Sequence, residues 1–515
     1  MTDPWSPHLA DGVPFDADDP PGPSLPARWA ARWAAQPGRP VLRGRWPGFD
    51  PGDTGGWVTA GRLDQASRRA AAVLAAAGLG PGDRLVWSTA TGLASVVALV
   101  GALRLGAVGV PVNAAYTQRE LAHVVADVRP ALVVVDRPDQ AAWVAGVDPG
   151  VPVWRPDLVP VDGSAPGRSG TAPGLDTARP EDPALIVYTS GTTGAPKGAV
   201  LSHANLAAGS RALELAWRWT PEDRLVLALP LFHVHGLCVG LFGTLAAGAS
   251  AVVLERFDAP AVLEAVRDDR ATMFFGVPTM YHRLAGADGA DGLARLRLCV
   301  SGSAPLPAAR WHEMKRRAGV EVLERYGMTE TLLTVSNPYV GERRPGTVGF
   351  PLPGVSTRLE RVDAGDPEAG RLMVRGPSVF SGYWERPAAT AEAFADDWFR
   401  TGDLAGLDPD GYLAIKGRSN DLIISGGFNV YPAEIEDVLL AHPAVAEAAV
   451  TGVASEEWGE TVTAWVVPAD GPIDTDELLA HAAARLAPYK RPRLVRVVDA
   501  LPRNAMGKVL RAELR

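Results

Sequence analysis

The apolar run Ala184–Val187 passes directly into Tyr188-Thr-Ser-Gly-Thr-Thr-Gly-Ala-Pro-Lys-Gly198. A short apolar run of this kind reads as a buried strand. The segment after the run commits the chain to a loop of close-packed backbone donors. Four Ser/Thr hydroxyls, three glycines and one lysine in eleven positions suit a polyphosphate. Glycines let backbone N–H groups approach closely, hydroxyls add donors, and the lysine adds a point charge. The segment is not a Walker A loop, because no glycine directly precedes Lys197 and no Ser or Thr follows it.

At 515 residues the chain exceeds a single core, so two or more domains are expected. A net charge of −9 with no basic run excludes a nucleic-acid surface and leaves phosphate ligands to local basic groups. The two cysteines, Cys238 and Cys299, lie in apolar stretches and read as buried free thiols. No Cys/His cluster has metal-ligand spacing; His233 and His235 lack a third ligand. The first residues have neither a basic start nor an apolar segment, and no run approaches roughly 18 apolar residues. A cytoplasmic location without a membrane span is therefore expected. Only five of the 50 basic residues are lysines (Lys197, Lys315, Lys416, Lys490 and Lys508), so each lysine invites a reason. Lysine is a compact charge with rotatable donors, where arginine is a planar fork.

Residues 1–25, rich in Pro, Asp and Gly, are expected to be disordered or loosely packed. Helix-like stretches then alternate with short apolar runs: helices at Leu63–Ala77 and Leu93–Leu105, strands at Arg84–Ser88 and Ala131–Val135. The strand rhythm continues at Leu225–Leu229, Ala251–Leu254, Met273–Val277 and Leu296–Val300. That alternation predicts a largely parallel α/β architecture. From about Gly346 to Ile415 shorter runs broken by Gly and Pro predict an all-β region. The last 95 residues or so predict a small α+β domain.

Four further segments carry chemistry: Ser301-Gly-Ser-Ala-Pro-Leu306, Glu324-Arg-Tyr-Gly-Met-Thr-Glu330, Phe399-Arg-Thr-Gly-Asp403 and Gly417-Arg-Ser-Asn-Asp421, the last leading into Ile423–Asn429. Their order and spacing resemble the adenylate-forming (AMP-forming) acyl-CoA synthetase superfamily from about Leu63 to Arg515. The resemblance implies an α/β fold: a large N-terminal domain (1–419) of α/β subdomains plus a distorted β-barrel, and a small mobile C-terminal α+β domain (420–515). It implies ATP, Mg²⁺ and coenzyme A, with a carboxylate attacking the α-phosphate and a thiol then displacing AMP. Thr189, Ser190, Gly191, Thr192, Thr193, Gly194 and Lys197 would hold the β- and γ-phosphates, and Glu330 would hold Mg²⁺. Tyr326 and the Gly302-Ser303-Ala304 backbone would bracket adenine, Asp403 and Arg418 would lie at the ribose, and Glu324, Arg325, Gly327, Met328 and Thr329 would complete the ATP site. Lys508 would bridge the attacking carboxylate and the α-phosphate. Lys508, Thr192 and Glu330 are thus the implied catalytic residues. Asn420 would be the pivot, where relatives commonly carry Asp or Lys. Ser425, Gly426 and Gly427 would line the CoA tunnel.

The expected acyl pocket comprises Pro230–Gly236, Gly276–Thr279 and Arg297–Ser301. Strand alternation puts Arg297, Cys299 and Ser301 on one face. A core-strand arginine needs an anionic partner, either an internal Asp or Glu or a substrate's distal carboxylate. These segments look most like malonyl-CoA synthetases. By that resemblance Arg297 is the first candidate for the distal carboxylate and Arg283 the second, with His233, Ser301 and Met328 at the pocket. Medium-chain or aryl acyl-CoA synthetases are the alternative enzymes, an internally neutralised Arg297 beside an apolar tunnel being their mark. A carrier-protein loader and a degenerate nucleotide-binding module are the remaining alternatives. Small-molecule partners are expected, and the oligomeric state is not readable.

Overall fold

The computed structural model describes residues 4–10, 13, 15–16, 22–46, 56–161, 174–189, 196–361, 369–425, 428–455, 458–469, 471–503 and 508–514. Two large sheets carry the α/β part. A seven-stranded sheet runs in the order 382–383, 197–202, 183–189, 108–111, 84–88, 132–135 and 153–154. It is parallel except where 183–189 turns back antiparallel into 197–202 and 382–383 joins that edge. A nine-stranded sheet runs 350–351, 332–336, 323–328, 298–301, 273–276, 224–227, 250–253, 40–43 and 57–59. Its central strands are parallel and buried, which is why they read as continuous apolar runs rather than alternating ones. One continuous core cluster takes side chains from both sheets.

A five-stranded antiparallel sheet built on 356–361, 369–375 and 398–407, with 394–395 and 413–418, forms the predicted all-β region. The last segment builds its own five-stranded sheet (428–430, 423–425, 459–468, 445–455, with 494–497). Its core of Ile423, Ile435, Leu439, Val450, Val462 and Leu478 is separate from the others. Two α/β sheets, an antiparallel sheet and a separate C-terminal α+β unit follow the order expected from the sequence.

Helix Leu93–Leu105 is buried on nearly every side, matching its uniformly apolar sequence. The exception, Arg104, is fully buried and tied to Asp64 (2.8 Å) and Asp176 (2.8 Å), since a charge there needs its counter-ions. The N-terminal residues depart from expectation. Residues 4–10 are held by Trp5 Nε1 donating to the Val355 carbonyl (2.7 Å) and by buried His8 bonded to the Phe350 carbonyl. An indole and an imidazole, each apolar in body with one polar tip, anchor a stretch whose composition looked unstructured.

Burial pushes His8 and His203 down to about 4, and neither ring nitrogen of His203 has a partner. An unfolded histidine titrates near 6.5, so between about 6.5 and 4 the unfolded state binds more protons. The stability these rings contribute is complete above 6.5 and is lost as pH falls through that window. His203→Leu is expected to flatten part of the fall in thermal midpoint between pH 6.5 and 4, read by differential scanning fluorimetry.

Candidate active site

The hairpin 183–189/197–202 brings Thr189 opposite Lys197 in register. Ser190, Gly191, Thr192, Thr193 and Gly194 lie outside the described residues. Lys197 Nζ sits 5.2 Å from the centre of the Tyr383 ring, and the Tyr383 hydroxyl donates to Glu330 Oε1 at 2.9 Å. One tyrosine thus joins the loop lysine to the carboxylate expected to meet a metal. Sequence reasoning missed Tyr383; its only signal is its place on the short edge strand Gly382–Tyr383, which pairs with 197–202. Burial raises the Glu330 carboxyl above its ordinary value, against the Tyr383 hydrogen bond.

Asp403 is the second centre. It leaves strand 398–407, is 4% exposed, and accepts from the Tyr326 hydroxyl. Arg418 Nε approaches its other oxygen at 2.8 Å. Burial raises Asp403 while Arg418 opposes that rise. Lys508 comes within electrostatic reach of Asp403, Arg418 and Asp421, and burial lowers its ammonium below the ordinary value. Tyr326, Asp403, Arg418 and Lys508 therefore meet, although they come from separate sheets.

The loop after strand Leu298–Ser301 is the third centre. Its Ser303 holds φ at 69°, a left-handed conformation that non-glycine residues adopt at a cost and keep where function fixes it. Ser303 Oγ lies 3.2 Å from His235 Nδ1, and His235 is 2% exposed. His235 opens the wide-turned helix His235–Phe242, a geometry frequent at functional sites. Burial pushes His233 down to about 4 and His235 well below 6.5, with the Arg325 charge adding to both. Glycine is required by space at 327, and a side chain at 302 would displace the Arg325 guanidinium. A Cβ on Gly302 would stand 2.3 Å from Arg325 Cζ, and one on Gly327 would stand 2.0 Å from the Leu332 carbonyl oxygen. Glu324 Oε1 accepts from the Leu306 N–H (2.8 Å), and burial pushes its carboxyl up to about 8. Thr329 is buried, and the half-buried Met328 lies beside the Tyr326 hydroxyl. Burial raises both thiols, Cys299 to about 12, and both are free.

Arg297 must be corrected. Its guanidinium is held bidentately by Asp223, Nε and Nη2 each at 2.6 Å, and Nη1 donates to the Trp217 carbonyl. Burial works against the arginine's charge, but the Asp223 pair more than offsets it and holds Arg297 above its ordinary value. It also precedes strand Leu298–Ser301, whereas the site gathers at that strand's other end, about 13 Å away at strand rise. Arg297 is therefore a structural cation and not the anchor for a distal carboxylate. Arg283, on the helix Pro278–Ala285 that springs from strand Met273–Gly276, is exposed and makes no ion pair among the described residues.

Ser425 lies inside the C-terminal sheet opposite Phe428 and Gly459. Gly426, Gly427 and the Asn420 side chain are outside the described residues. Lys315 and Lys490 pair with Glu321 (2.6 Å) and Glu434 (2.7 Å), so their retention has local structural reasons. Asp223→Ala is expected to lower stability by about 3 kcal/mol, read as a lower unfolding midpoint. Acid preference should not move in that variant, because the pair lies at the far end of the strand.

Comparison with known proteins accords with this geometry. The AMP-binding enzyme family matches residues 29–384, and the AMP-binding enzyme C-terminal domain matches 434–508. A feruloyl-CoA synthase of Amycolatopsis is 40% identical over 469 residues, covering 89% of this chain and 93% of its own. ATP-bound MatB from Rhodopseudomonas palustris superposes with a TM-score of 0.83 at 40% identity, covering 95% of this chain and 98% of its own. A malonyl-CoA ligase in a ternary product complex with methylmalonyl-CoA and AMP is 44% identical with a TM-score of 0.63, covering 95% and 100%. Matches of this extent and identity place the chain in the AMP-binding enzyme family, as an adenylate-forming CoA ligase similar to malonyl-CoA synthetases.

Proposed function

We propose that the chain activates malonate, and short 2-substituted malonates, as acyl-adenylates and transfers the acyl group to coenzyme A. In the first half-reaction a carboxylate oxygen attacks the α-phosphorus of ATP and pyrophosphate leaves. In the second the CoA sulfur attacks the acyl carbon and AMP leaves. The first half needs charge neutralisation and alignment rather than a protein nucleophile.

Lys197 and the glycine–hydroxyl loop hold the outer phosphates. Glu330 fits Mg²⁺: the Tyr383 hydroxyl fixes one of its oxygens, and Mg²⁺ favours one or two carboxylates together with phosphate oxygens. No cluster of three ligands exists among the described residues, which suits an ion carried by the nucleotide. Bound there, Mg²⁺ would neutralise phosphate charge. Tyr326 and the Gly302-Ser303-Ala304 backbone bracket adenine, and Asp403, oriented by Tyr326 and Arg418, takes the ribose hydroxyls. Lys508 stands beside this ribose-binding pair and acts where negative charge builds between carboxylate and phosphate. Residues 1–419 and 420–515 form the two domains, with Asn420 as pivot. Turning the second domain would withdraw Lys508 and bring Ser425, Gly426 and Gly427 to the thiol.

The observation that favours a short dianionic acid is the content of the expected acyl pocket. Arg325 lies against Gly302 and within electrostatic reach of His233, His235 and Tyr281, so a charged side chain occupies the ground that an apolar tunnel would need. Arg283 adds a cation with no internal partner among the described residues. The internally paired Arg297 is one mark of the aryl or medium-chain alternative, and the feruloyl-CoA synthase likeness belongs with it. The buried arginine weighs against the accompanying apolar tunnel.

Lys508→Ala is expected to slow adenylation roughly 100-fold or more while sparing thioester formation from supplied acyl-adenylate; equal loss in both half-reactions would contradict the role. AMP and acyl-CoA formation with malonate, methylmalonate, butyrate, octanoate and ferulate should be greatest with the malonates. Arg283→Ala should raise the malonate KM about tenfold. Turnover of octanoate or ferulate alone would keep the chemistry and overturn the substrate.

A further inference from the structure

Helix Gln118–Val128 reaches both feet of the hairpin 183–189/197–202. Its apolar face, Leu121, Val124, Val125 and Val128, packs into the core cluster that also holds Tyr188. A capping box of Thr117 and Glu120 fixes its first turn. His123 and Asp127 are four residues apart and so share one side of the helix. His123 Nε2 lies 3.0 Å from the Pro196 carbonyl oxygen; a carbonyl only accepts, so this nitrogen carries the ring proton and donates. Asp127 Oδ2 accepts from the Tyr188 hydroxyl at 2.6 Å. The His123 and Tyr188 rings meet edge to face, with centroids 6.1 Å apart.

Each held residue stands directly beside one expected to meet phosphate. Tyr188 precedes Thr189 and Pro196 precedes Lys197. Thr189 and Lys197 face each other in register, and Thr189 Oγ1 lies 3.4 Å from the Lys197 carbonyl oxygen. The other oxygen of Asp127 accepts from Arg386 Nη2 at 2.6 Å, and the Arg386 N–H donates to the Tyr383 carbonyl at 3.1 Å. One carboxylate, its side chain 11% exposed, therefore ties strand 183–189 to the turn that carries Tyr383. Burial raises the Tyr188 hydroxyl above its ordinary value and the Asp127 hydrogen bond adds to that rise, so the hydroxyl remains a donor. His123, Asp127 and Arg386 lie outside every segment expected to touch a ligand.

Resting on the reading that Thr189 and Lys197 meet the outer phosphates of ATP, we propose that His123 and Asp127 are positioning residues for that half of the nucleotide site. His123 holds Lys197 through Pro196, and Asp127 holds Thr189 through Tyr188. The helix sets the separation of the two holds, because side chains one turn apart keep a spacing of about 5–6 Å. Neither residue touches the nucleotide. A cation and a hydroxyl must meet phosphate oxygens at a set distance, and a displacement of about 1 Å can cost roughly 100-fold. The clamp bears on the β- and γ-phosphates, whereas Tyr326, Asp403 and Lys508 serve the rest of the nucleotide from other elements. It therefore strengthens ATP over AMP, and it acts in adenylation but not in thioester formation, where no outer phosphate remains.

The test compares wild type, His123→Ala, His123→Gln and Tyr188→Phe, with Lys197→Ala as the reference. Calorimetry with Mg²⁺ present gives dissociation constants for AMP and for an ATP analogue bridged by methylene between the α and β phosphorus atoms. In His123→Ala and Tyr188→Phe the preference for the analogue over AMP should fall roughly tenfold, the loss expected of one hydrogen bond, with AMP binding unchanged. His123→Gln, whose amide N–H can reach the same carbonyl, should recover most of that preference. Thioester formation from supplied acyl-adenylate should be unchanged in His123→Ala and Tyr188→Phe. A preference unchanged in both variants but lost in Lys197→Ala would overturn the clamp alone. So would equal weakening of AMP and the analogue, a fall in both half-reactions with a lowered thermal midpoint, or failure of either variant to fold, since each makes these contacts structural only. A preference that survives Lys197→Ala would instead remove the reading that Lys197 meets the outer phosphates.

Discussion

The buried Asp403, held between the Tyr326 hydroxyl and Arg418, is the contact on which the assembly of the site depends. Tyr326 belongs to the nine-stranded sheet, Asp403 and Arg418 to the antiparallel one, and Lys508 of the C-terminal segment leans on both charges. A carboxylate alone at that depth would take up a proton; with a hydroxyl donor and a guanidinium it keeps a defined direction. On the other side, Tyr383 does the same for Glu330 and places Lys197 over its ring. Two tyrosine–carboxylate contacts therefore bring together groups that no single element could present.

The same site contains groups the fold leaves unsatisfied. Arg325, Ser301, His235 and one oxygen of Glu324 are buried with unmet hydrogen-bonding capacity, and Ser303 holds a left-handed backbone. Three other arginines carry carboxylate partners, although buried polar atoms without partners also occur elsewhere, both ring nitrogens of His203 among them. Arg104 finds Asp64 and Asp176, Arg297 finds Asp223, and Arg511 finds Glu436. Arg325 differs from these in having no hydrogen-bonded carboxylate among the described residues.

Much of this was legible in the chain. The strand-then-glycine pattern before Lys197 located strand 183–189 and its loop, because a buried strand leaves a continuous apolar run followed by small residues; the returning strand 197–202 was not foreseen. Helix Leu93–Leu105 and strand Arg84–Ser88 have the bounds their periodicity predicts. Motif order named Glu330, Asp403, Arg418 and Lys508 in advance, and the structure gathers them. What was not legible depends on contacts between distant residues. Asp223 lies 74 residues before Arg297 and Tyr383 lies 53 after Glu330, and periodicity says nothing of such pairs. Strand alternation could not say which end of the sheet Arg297 occupies. Arg325 stood inside a nucleotide motif, so its sequence context hid that its side chain packs against Gly302. The anchoring of residues 4–10 was masked by Pro/Asp/Gly composition, although Trp5 and His8 supply the two tips that fix it.

Acyl-adenylate chemistry requires that a carboxylate oxygen becomes bonded to the α-phosphorus before any thiol is acylated. Malonate labelled with ¹⁸O in its carboxylates, incubated with enzyme, ATP, Mg²⁺ and CoA, traces that bond. AMP should then carry one ¹⁸O in its phosphoryl group, with pyrophosphate unlabelled. Label in inorganic phosphate or pyrophosphate, or malonyl-CoA formed with unlabelled AMP, would contradict it.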